Sequence, residues 1–317
     1  MDFSKSNIKH LIIHEIGNKL RDEKVFLSET LQNVDEDLEN SLLHYFLKPF
    51  LAEKDLFKFN HNSNINLNEI YTYTKNVFNS SDKDTFIKVS QDIAKHLYEY
   101  TTHPKITKGE LIIVQISNVN MDDNAIDLIG IFKSDNKETF LKLLKEDTNI
   151  KIKNDMGINI SKLDKGCLVL NTNEETGYTV LNIDNHSQAT DYWTNKFLNL
   201  KIIDDNSHKT REILKLCKGF SNEILSNIYD KDVEFDFNND FINYFEDNNH
   251  YDIGSFKETI FKDEKIKKDF FEYTDSNQSF FDVNLDDNFE LIQKDIHKEK
   301  NKIKNIIKLD TKLELKV

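Results

Sequence analysis

Blocks of alternating hydrophobic and polar residues in the middle of the chain predict two consecutive β-hairpins. In the first, an apolar strand at 110–117 is followed by a turn rich in Asn and Asp and a return strand at 125–133. In the second, strands at 166–171 and 178–184 flank a turn that contains glycine. Short apolar runs bounded by Gly, Asn and Asp are typical of strands, and near-continuous runs indicate that both sheet faces are covered. The pattern therefore predicts a central antiparallel sheet over 109–185, buried between helices.

Apolar residues spaced three and four positions apart predict helices on both sides of this sheet. Pro49 ends the first of them, and the pattern Ser81-x-x-Asp84 resembles a capping box at the start of the third. A helix at 136–146 is expected to cross over between the two hairpins. The predicted helices are 37–48, 66–79, 82–101, 136–146, 207–228 and 255–273.

Alternation of apolar and polar residues predicts further strands outside the central sheet. At the N-terminus, 8–16 and 25–27 are expected to form a hairpin around Gly17. Within 230–247, valine and phenylalanine alternate with acidic residues, as on a half-exposed strand. The last residues, 307–317, are expected to close the chain as a hairpin.

A turn and a helix N-cap at 204–207 mark the expected internal boundary. The sequence predicts an N-terminal α+β domain over 1–203, in which helices flank the central antiparallel sheet. The C-terminal domain, 204–317, is expected to be helical and to end in a lysine-rich β-hairpin. A chain of 317 residues with 38% hydrophobic residues is long enough for two cores and too apolar to be wholly disordered.

The formal net charge of −14 weighs against strong sequence-independent binding of duplex DNA, although local clusters of cations govern phosphate contact. No window approaches 18 uncharged apolar residues, so we expect a cytoplasmic protein that does not enter a membrane. Cys167 and Cys217 are isolated, and His10 and His14 share one strand face without a third ligand nearby. Neither pair predicts a disulfide or a metal site, and no cofactor is expected.

Lysines concentrate at the end of the chain, where 291–317 contains eight lysines and four acidic residues. A smaller cationic cluster lies near the start of the predicted helix 207–228. These two segments are the candidates for phosphate contact, and a solvated surface with ordinary lysine usage is the alternative. The candidate DNA-binding residues are Lys294, Lys298, Lys300, Lys302, Lys304, Lys308, Lys209, Arg211, Lys215 and Lys218.

Acidic residues concentrate at 230–247, where seven carboxylates accompany one lysine. We interpret this stretch as a solvated acidic face that could dock a protein partner. A cation site is the alternative, but the spacing does not match an EF-hand loop. Trp193 is interpreted as a core anchor, with ligand stacking as the alternative.

The sequence contains no Walker A loop, no dinucleotide-binding glycine motif, no nucleophile elbow and no zinc-protease motif. Asp127 and Lys133 lie on one predicted strand, but their spacing does not match that of a metal nuclease. We therefore expect a protein that is not an enzyme, with an unrecognised nuclease or hydrolase as the remaining alternative.

Several long segments resemble the NdpA-like family of bacterial nucleoid-associated proteins. The segments are Ile93–Glu99, Thr102–Ile106, Gly109–Leu111, Ile131–Lys137, Phe140–Lys142, Gly157–Ile160, Lys162–Gly166, Tyr192–Trp193, Phe197–Leu198, Asp205–Asn206, Thr210, Cys217–Lys218 and the tail Ile306–Asp310. The resemblance extends over nearly the whole chain and rests on long runs rather than on one short signature.

This resemblance implies association with the bacterial nucleoid, binding of double-stranded DNA and a role in chromosome organisation. No catalytic residues are established for the family, so none are transferred to this chain. The leading hypothesis is a non-enzymatic protein that binds duplex DNA with little sequence preference through lysine–phosphate contacts. The alternative is an adaptor whose acidic face binds a DNA-bound protein, and either protein could form a homo-oligomer.

Overall fold

The chain divides into two compact units, Met1–Ile203 and Asp204–Val317. The computed structural model describes residues 2–53, 55–80, 82–121, 124–135, 137–146, 149–158, 162–185, 192–277, 280–303, 307–308 and 314–315. The α+β class predicted from the sequence is confirmed, because helices flank a large antiparallel sheet.

The N-terminal unit is built on a seven-stranded antiparallel sheet with the order β1-β3-β4-β7-β8-β2-β9. Its strands are β1 (Asn7–Ile16), β2 (Phe57–Phe59), β3 (Gly109–Met121), β4 (Asn124–Ser134), β7 (Lys165–Leu170), β8 (Thr179–Asp184) and β9 (Leu200–Ile202). Both predicted central hairpins are confirmed, since β3 pairs with β4 and β7 pairs with β8. Pairing of β4 with β7 joins the two hairpins into one sheet.

Helices cover both faces of this sheet, as the near-continuous apolar strands predicted. The three helices are α1 (Glu36–Leu47), α2 (Glu69–Phe78) and α3 (Lys83–Glu99). Helices α2 and α3 pack on one face, and α1 packs on the other, where Phe46 stacks on Phe132 with ring centroids 4.5 Å apart. The N-cap of α3 is Asp82, whose carboxylate accepts from the amide of Thr85, so Asp82 takes the capping role predicted for Ser81, which lies outside the described residues.

Two predictions for the N-terminal unit are wrong in detail. The predicted hairpin of 8–16 with 25–27 is reduced to a single bridge between Glu15 and Phe26, because β1 forms its ladder with the long strand β3 instead. The predicted crossover helix 136–146 is a strand, β5 (Lys137–Glu146), which pairs with β6 (Asn149–Ile158) in a separate two-stranded sheet; residue 136 lies outside the described part.

The C-terminal unit surrounds a core of aromatic side chains with helices. Its helices are α4 (Asn206–Phe220), continued by a π-helical turn (Ser221–Leu225) and α5 (Ser226–Ile228), then α6 (Lys231–Asp247), α7 (Ile253–Ile260), α8 (Glu264–Ser276) and α9 (Gln293–Ile303). Short strands β10 (His250–Tyr251) and β11 (Phe289–Glu290) pair with each other. The closing hairpin is confirmed at backbone level by pairing of β12 (Ile307–Lys308) with β13 (Glu314–Leu315); the predicted turn lies outside the described residues.

The predicted half-exposed strand within 230–247 is wrong, because this stretch forms helix α6. The apolar residues that matter are Phe237, Phe241 and Phe245, which are buried at intervals of four, whereas Phe235 is exposed. The predicted helix 255–273 is divided into α7 and α8, each capped by an aspartate side chain, and α9 was not predicted at all.

Leu97 tests the packing of α3 on the sheet, because its side chain is fully buried in the core between them. We expect Leu97→Ala to lower the free energy of unfolding by about 2–5 kcal/mol through the cavity that it leaves. Lys95→Ala, at an exposed position of the same helix, should change it by less than about 0.5 kcal/mol. Denaturant unfolding measures both values, and a loss below about 1 kcal/mol for Leu97→Ala would contradict the packing.

Candidate functional site

Helix α9 carries two exposed candidate lysines. Ile296 is 1% exposed and anchors the inner face of the helix in the aromatic core. Lys294 and Lys298 are exposed and lie four residues apart, so they occupy one outward stripe of the helix. The described residues supply no ion-pair partner for either ammonium group, which leaves both free to contact an anion.

The remaining candidates at the C-terminus differ from this stripe. Lys300 binds both carboxylate oxygens of Glu246, with 2.7 Å between its Nζ and Oε2. The predicted basic segment is therefore attached at this point to the acidic helix α6. Side chains of Lys302 and Lys308 and the whole of Lys304 lie outside the described part of the chain.

The candidate residues of α4 lie among acidic side chains. The Lys209 Nζ lies 2.7 Å from Oδ2 of Asp287, and this hydrogen bond raises the pKa of the lysine. Arg211 donates to Ser207 Oγ at 2.5 Å and lies 3.6 Å from Oδ2 of Asp295. These short contacts neutralise the two cations within the C-terminal unit.

Of the two further α4 candidates, Lys215 is exposed and pairs with an acidic residue on its own helix. The Nζ of Lys215 lies 2.9 Å from Oε1 of Glu212, one helical turn earlier. Lys218 is half-buried. The structure thus brings Arg211 close to α9 through Asp295 and does not align the α4 cations with the stripe of Lys294 and Lys298.

The acidic surface of the C-terminal unit follows α6 and a nearby pocket. Asp240 and Glu246 are paired with Lys262 and Lys300, whereas the other α6 acids are exposed or half-buried. A pocket of about 590 Å³ lies between α4, α8 and the segment before β11. Its charged lining residues are Asp204, Asp275, Asp282, Asp286, Asp287, Lys209 and Lys257. This pocket is suited to a cationic group of a partner.

One cationic cluster was missed by sequence reasoning. Lys142, Lys151 and Lys153 are exposed on one face of the β5–β6 hairpin, with Lys142 directly opposite Lys153. The period-two alternation of apolar residues in β6 was the available signal. It was overlooked because the apolar residues of β5, the strand that pairs with it, fit a helical spacing.

The pair Asp127 and Lys133 does not form a site. Six residues along an extended strand separate them by about 20 Å. Lys133 is instead fully buried, pairs with Asp135 and donates to the carbonyl of Thr107 at 3.0 Å. Its neighbour across the sheet is Lys165, which is paired in turn with Asp184 on β8.

His14 is a structural residue, as one reading of the sequence expected. The amide of Ser28 donates to Nδ1 at 3.0 Å, so Nε2 carries the proton and donates to Ser90 Oγ at 3.0 Å. Burial lowers the pKa of His14 from 6.5 to about 4. His10 lies beside Gln115, with 3.0 Å between Nδ1 and Oε1.

Trp193 is a core anchor, fully buried and donating from Nε1 to Asn182 Oδ1 at 3.0 Å. Cys167 and Cys217 are buried and free. Among the described residues, no group of three or more His, Cys, Asp or Glu side chains is arranged to hold a metal ion. Nor does any helix in those ranges have the length and apolarity needed to cross a membrane.

Comparison with protein families gives one match over nearly the whole chain. The family model described as nucleoid-associated protein YejK matches residues 12–317. The comparison with curated proteins gave no match.

The buried His14 predicts a pH dependence of stability. Because its pKa in the folded protein lies below the unfolded value, the unfolded chain binds the extra proton first as the pH falls. We therefore expect the free energy of unfolding to decrease between about pH 6.5 and pH 4, and His14→Gln to reduce this decrease. His103→Gln, at an exposed histidine of the same unit, is the matched control. An unchanged pH profile in His14→Gln would contradict this assignment.

Proposed function

Since the chain belongs to the nucleoid-associated protein YejK family, we propose that it binds double-stranded DNA directly, without catalysis, at the nucleoid. The observation that carries this proposal is the stripe of Lys294 and Lys298 on the outer face of α9. Both ammonium groups are exposed, and the helix that holds them is fixed to the core by Ile296.

Lysine side chains are better suited to binding DNA phosphates than to recognising particular bases. A lysine ammonium is a flexible point charge, whereas recognition of bases uses side chains that bind two positions on a base edge. Phosphate contacts set the position of a protein on the duplex but carry no sequence information. We therefore expect little preference between DNA sequences.

The acidic character of the chain sets the expected strength of binding. A net charge of −14 repels the duplex at long range, and several candidate cations are already paired with carboxylates. Three to five engaged lysines are consistent with these limits. The slope of log affinity against log salt should then be modest, roughly −3 to −5.

An adaptor is the second candidate, and the contact between Lys300 and Glu246 favours it. This contact holds a basic residue of α9 against the acidic helix α6, so acidic and basic side chains share one surface region. Such a region fits a protein partner of mixed charge better than a phosphate backbone. In that case the chain would reach the nucleoid through a DNA-bound protein.

Charge reversal on α9 tests direct binding. We expect Lys294→Glu combined with Lys298→Glu to weaken duplex binding at least tenfold at low salt and to reduce the salt slope by about two, since each lost phosphate contact removes about 0.9. Thermal stability should change little because both positions are exposed. A salt-titrated binding assay with a duplex of random sequence measures affinity and slope.

The matched control is Lys262→Glu combined with Lys268→Glu, which makes the same change of net charge at two exposed lysines of α7–α8. It should leave the slope unchanged. Equal losses in both double variants would mean that total charge, and not the α9 stripe, governs binding. Absence of binding by the unmodified protein at low salt would favour the adaptor.

A further inference from the structure

The β5–β6 hairpin is a two-faced arm in which each face has a distinct chemistry. Residues opposite each other in an antiparallel pair share a face. One face, the apolar face, carries Lys137, Thr139, Lys145 and Asn154 together with six apolar side chains. These are Leu141, Leu143, Ile150, Ile152, Met156 and Ile158, of which the first five are 66–69% exposed. The other face, the lysine face, carries Lys142, Lys151, Lys153 and Asp155 together with Glu138, Phe140 and Leu144.

This arm is attached to the N-terminal unit at its base, where Ile158 packs against the core and Lys137 pairs with Glu110, but its two strands do not belong to a larger sheet in the described part of the chain. Within the described residues, β5 and β6 pair only with each other. An isolated two-stranded hairpin is at best marginally stable in water, and three or more strands with an apolar face are needed for independent stability. A long exposed edge with apolar side chains is also a ready template for pairing with another strand. The arm therefore has both the backbone groups and the side chains of an interaction surface.

We propose that β6 pairs antiparallel with β6 of a second copy of this chain, centred on Asn154. The two arms then form one four-stranded sheet with the order β5-β6-β6-β5. This association does not depend on DNA binding by α9, because it uses no residue of the C-terminal unit.

The sequence of β6 is self-complementary in this register on the apolar face. Around a two-fold axis at Asn154, Ile150 lies opposite Ile158 of the second copy, and Ile152 lies opposite Met156 of the second copy. Each apolar side chain of one edge thus contacts an apolar side chain of the other. Such cross-strand pairs are the unit that stabilises a sheet.

In the same register, the lysine faces of the two copies bring opposite charges together. Within one copy, Lys142 faces Lys153, a like-charge pair that destabilises the hairpin. In the paired arms, Asp155 of the second copy lies directly opposite Lys153 and supplies an opposite charge. The two-fold axis produces this contact twice.

Three neighbouring registers are less favourable because they bring like charges together. Centring the pairing on Lys153 or on Asp155 places two identical charges at the axis. Centring it on Ile152 places Lys151 against Lys153 of the second copy. Charge therefore selects the register at Asn154 among these arrangements.

Disulfide trapping tests the register. Asn154→Cys should form a covalent dimer on oxidation, since opposed strand residues have Cα atoms about 4.5–5.5 Å apart, within disulfide range. Thr139→Cys, on the same face of the outer strand β5, should not, because three strand spacings of about 4.8 Å would separate the two thiols. The unmodified protein is a further control, as Cys167 and Cys217 are buried. Non-reducing electrophoresis measures the result.

Charge exchange tests the complementarity independently. Lys153→Asp or Asp155→Lys alone should weaken the dimer about tenfold or more in sedimentation equilibrium, since each change creates two like-charge contacts per dimer. The double exchange Lys153→Asp with Asp155→Lys should restore dimerisation, because the pairs are opposite again. Both positions lie on the exposed arm, so circular dichroism and thermal unfolding of all three variants should match the unmodified protein.

Three results would overturn the proposal. The first is a monomer at all concentrations, and the second is equal cross-linking through Asn154→Cys and Thr139→Cys. The third is an unchanged dimer in the Lys153→Asp variant together with a loss of duplex DNA binding. That result would assign the lysine face of the arm to a nucleic acid instead of to a second copy.

Discussion

The ladder between β4 and β7 is the constraint on which the N-terminal unit depends. It joins two locally formed hairpins into one sheet, with register partners from Leu128 and Leu170 to Lys133 and Lys165. Once the ladder forms, both faces present continuous apolar surfaces, which α1 covers on one side and α2 and α3 on the other. Burial on both faces is the main stabilising contribution, at about 25 cal/mol per Å² of apolar surface.

The sequence predicted the elements whose apolar period was unambiguous. Strands β3 and β4 are near-continuous apolar runs bounded by turn residues, and helices α1 to α3 repeat the helical period, so local pattern and tertiary packing agree. The predictions were wrong at β5 and α6, where two or three apolar residues fitted both periods. For α6, the decisive information was the burial of Phe237, Phe241 and Phe245 in a core contributed by distant helices. A short window of sequence does not contain that information.

From the sequence, the candidate site could be predicted only as a segment rich in lysine. Lysine content identified the C-terminal segment, and Lys294 and Lys298 lie exposed on α9 within it. Pairing of Lys209, Arg211 and Lys300 with carboxylates depends on contacts between residues far apart in the chain. A net charge or a local count of cations does not reveal such pairs. Tertiary structure therefore decides which cations of an acidic protein are available to an external anion.

The buried row of Lys133, Lys165 and Asp184 has a consequence for folding fidelity. Because side chains alternate between the faces of a sheet, a slip of one residue of β7 against β8 would turn Lys165 towards the opposite face, away from Asp184. An ammonium group buried there would have lost its carboxylate, which is strongly unfavourable. Apolar strands such as these could otherwise slide past each other at little cost. The buried ion pair thus favours one register of β7 with β8 and penalises the mismatched ones.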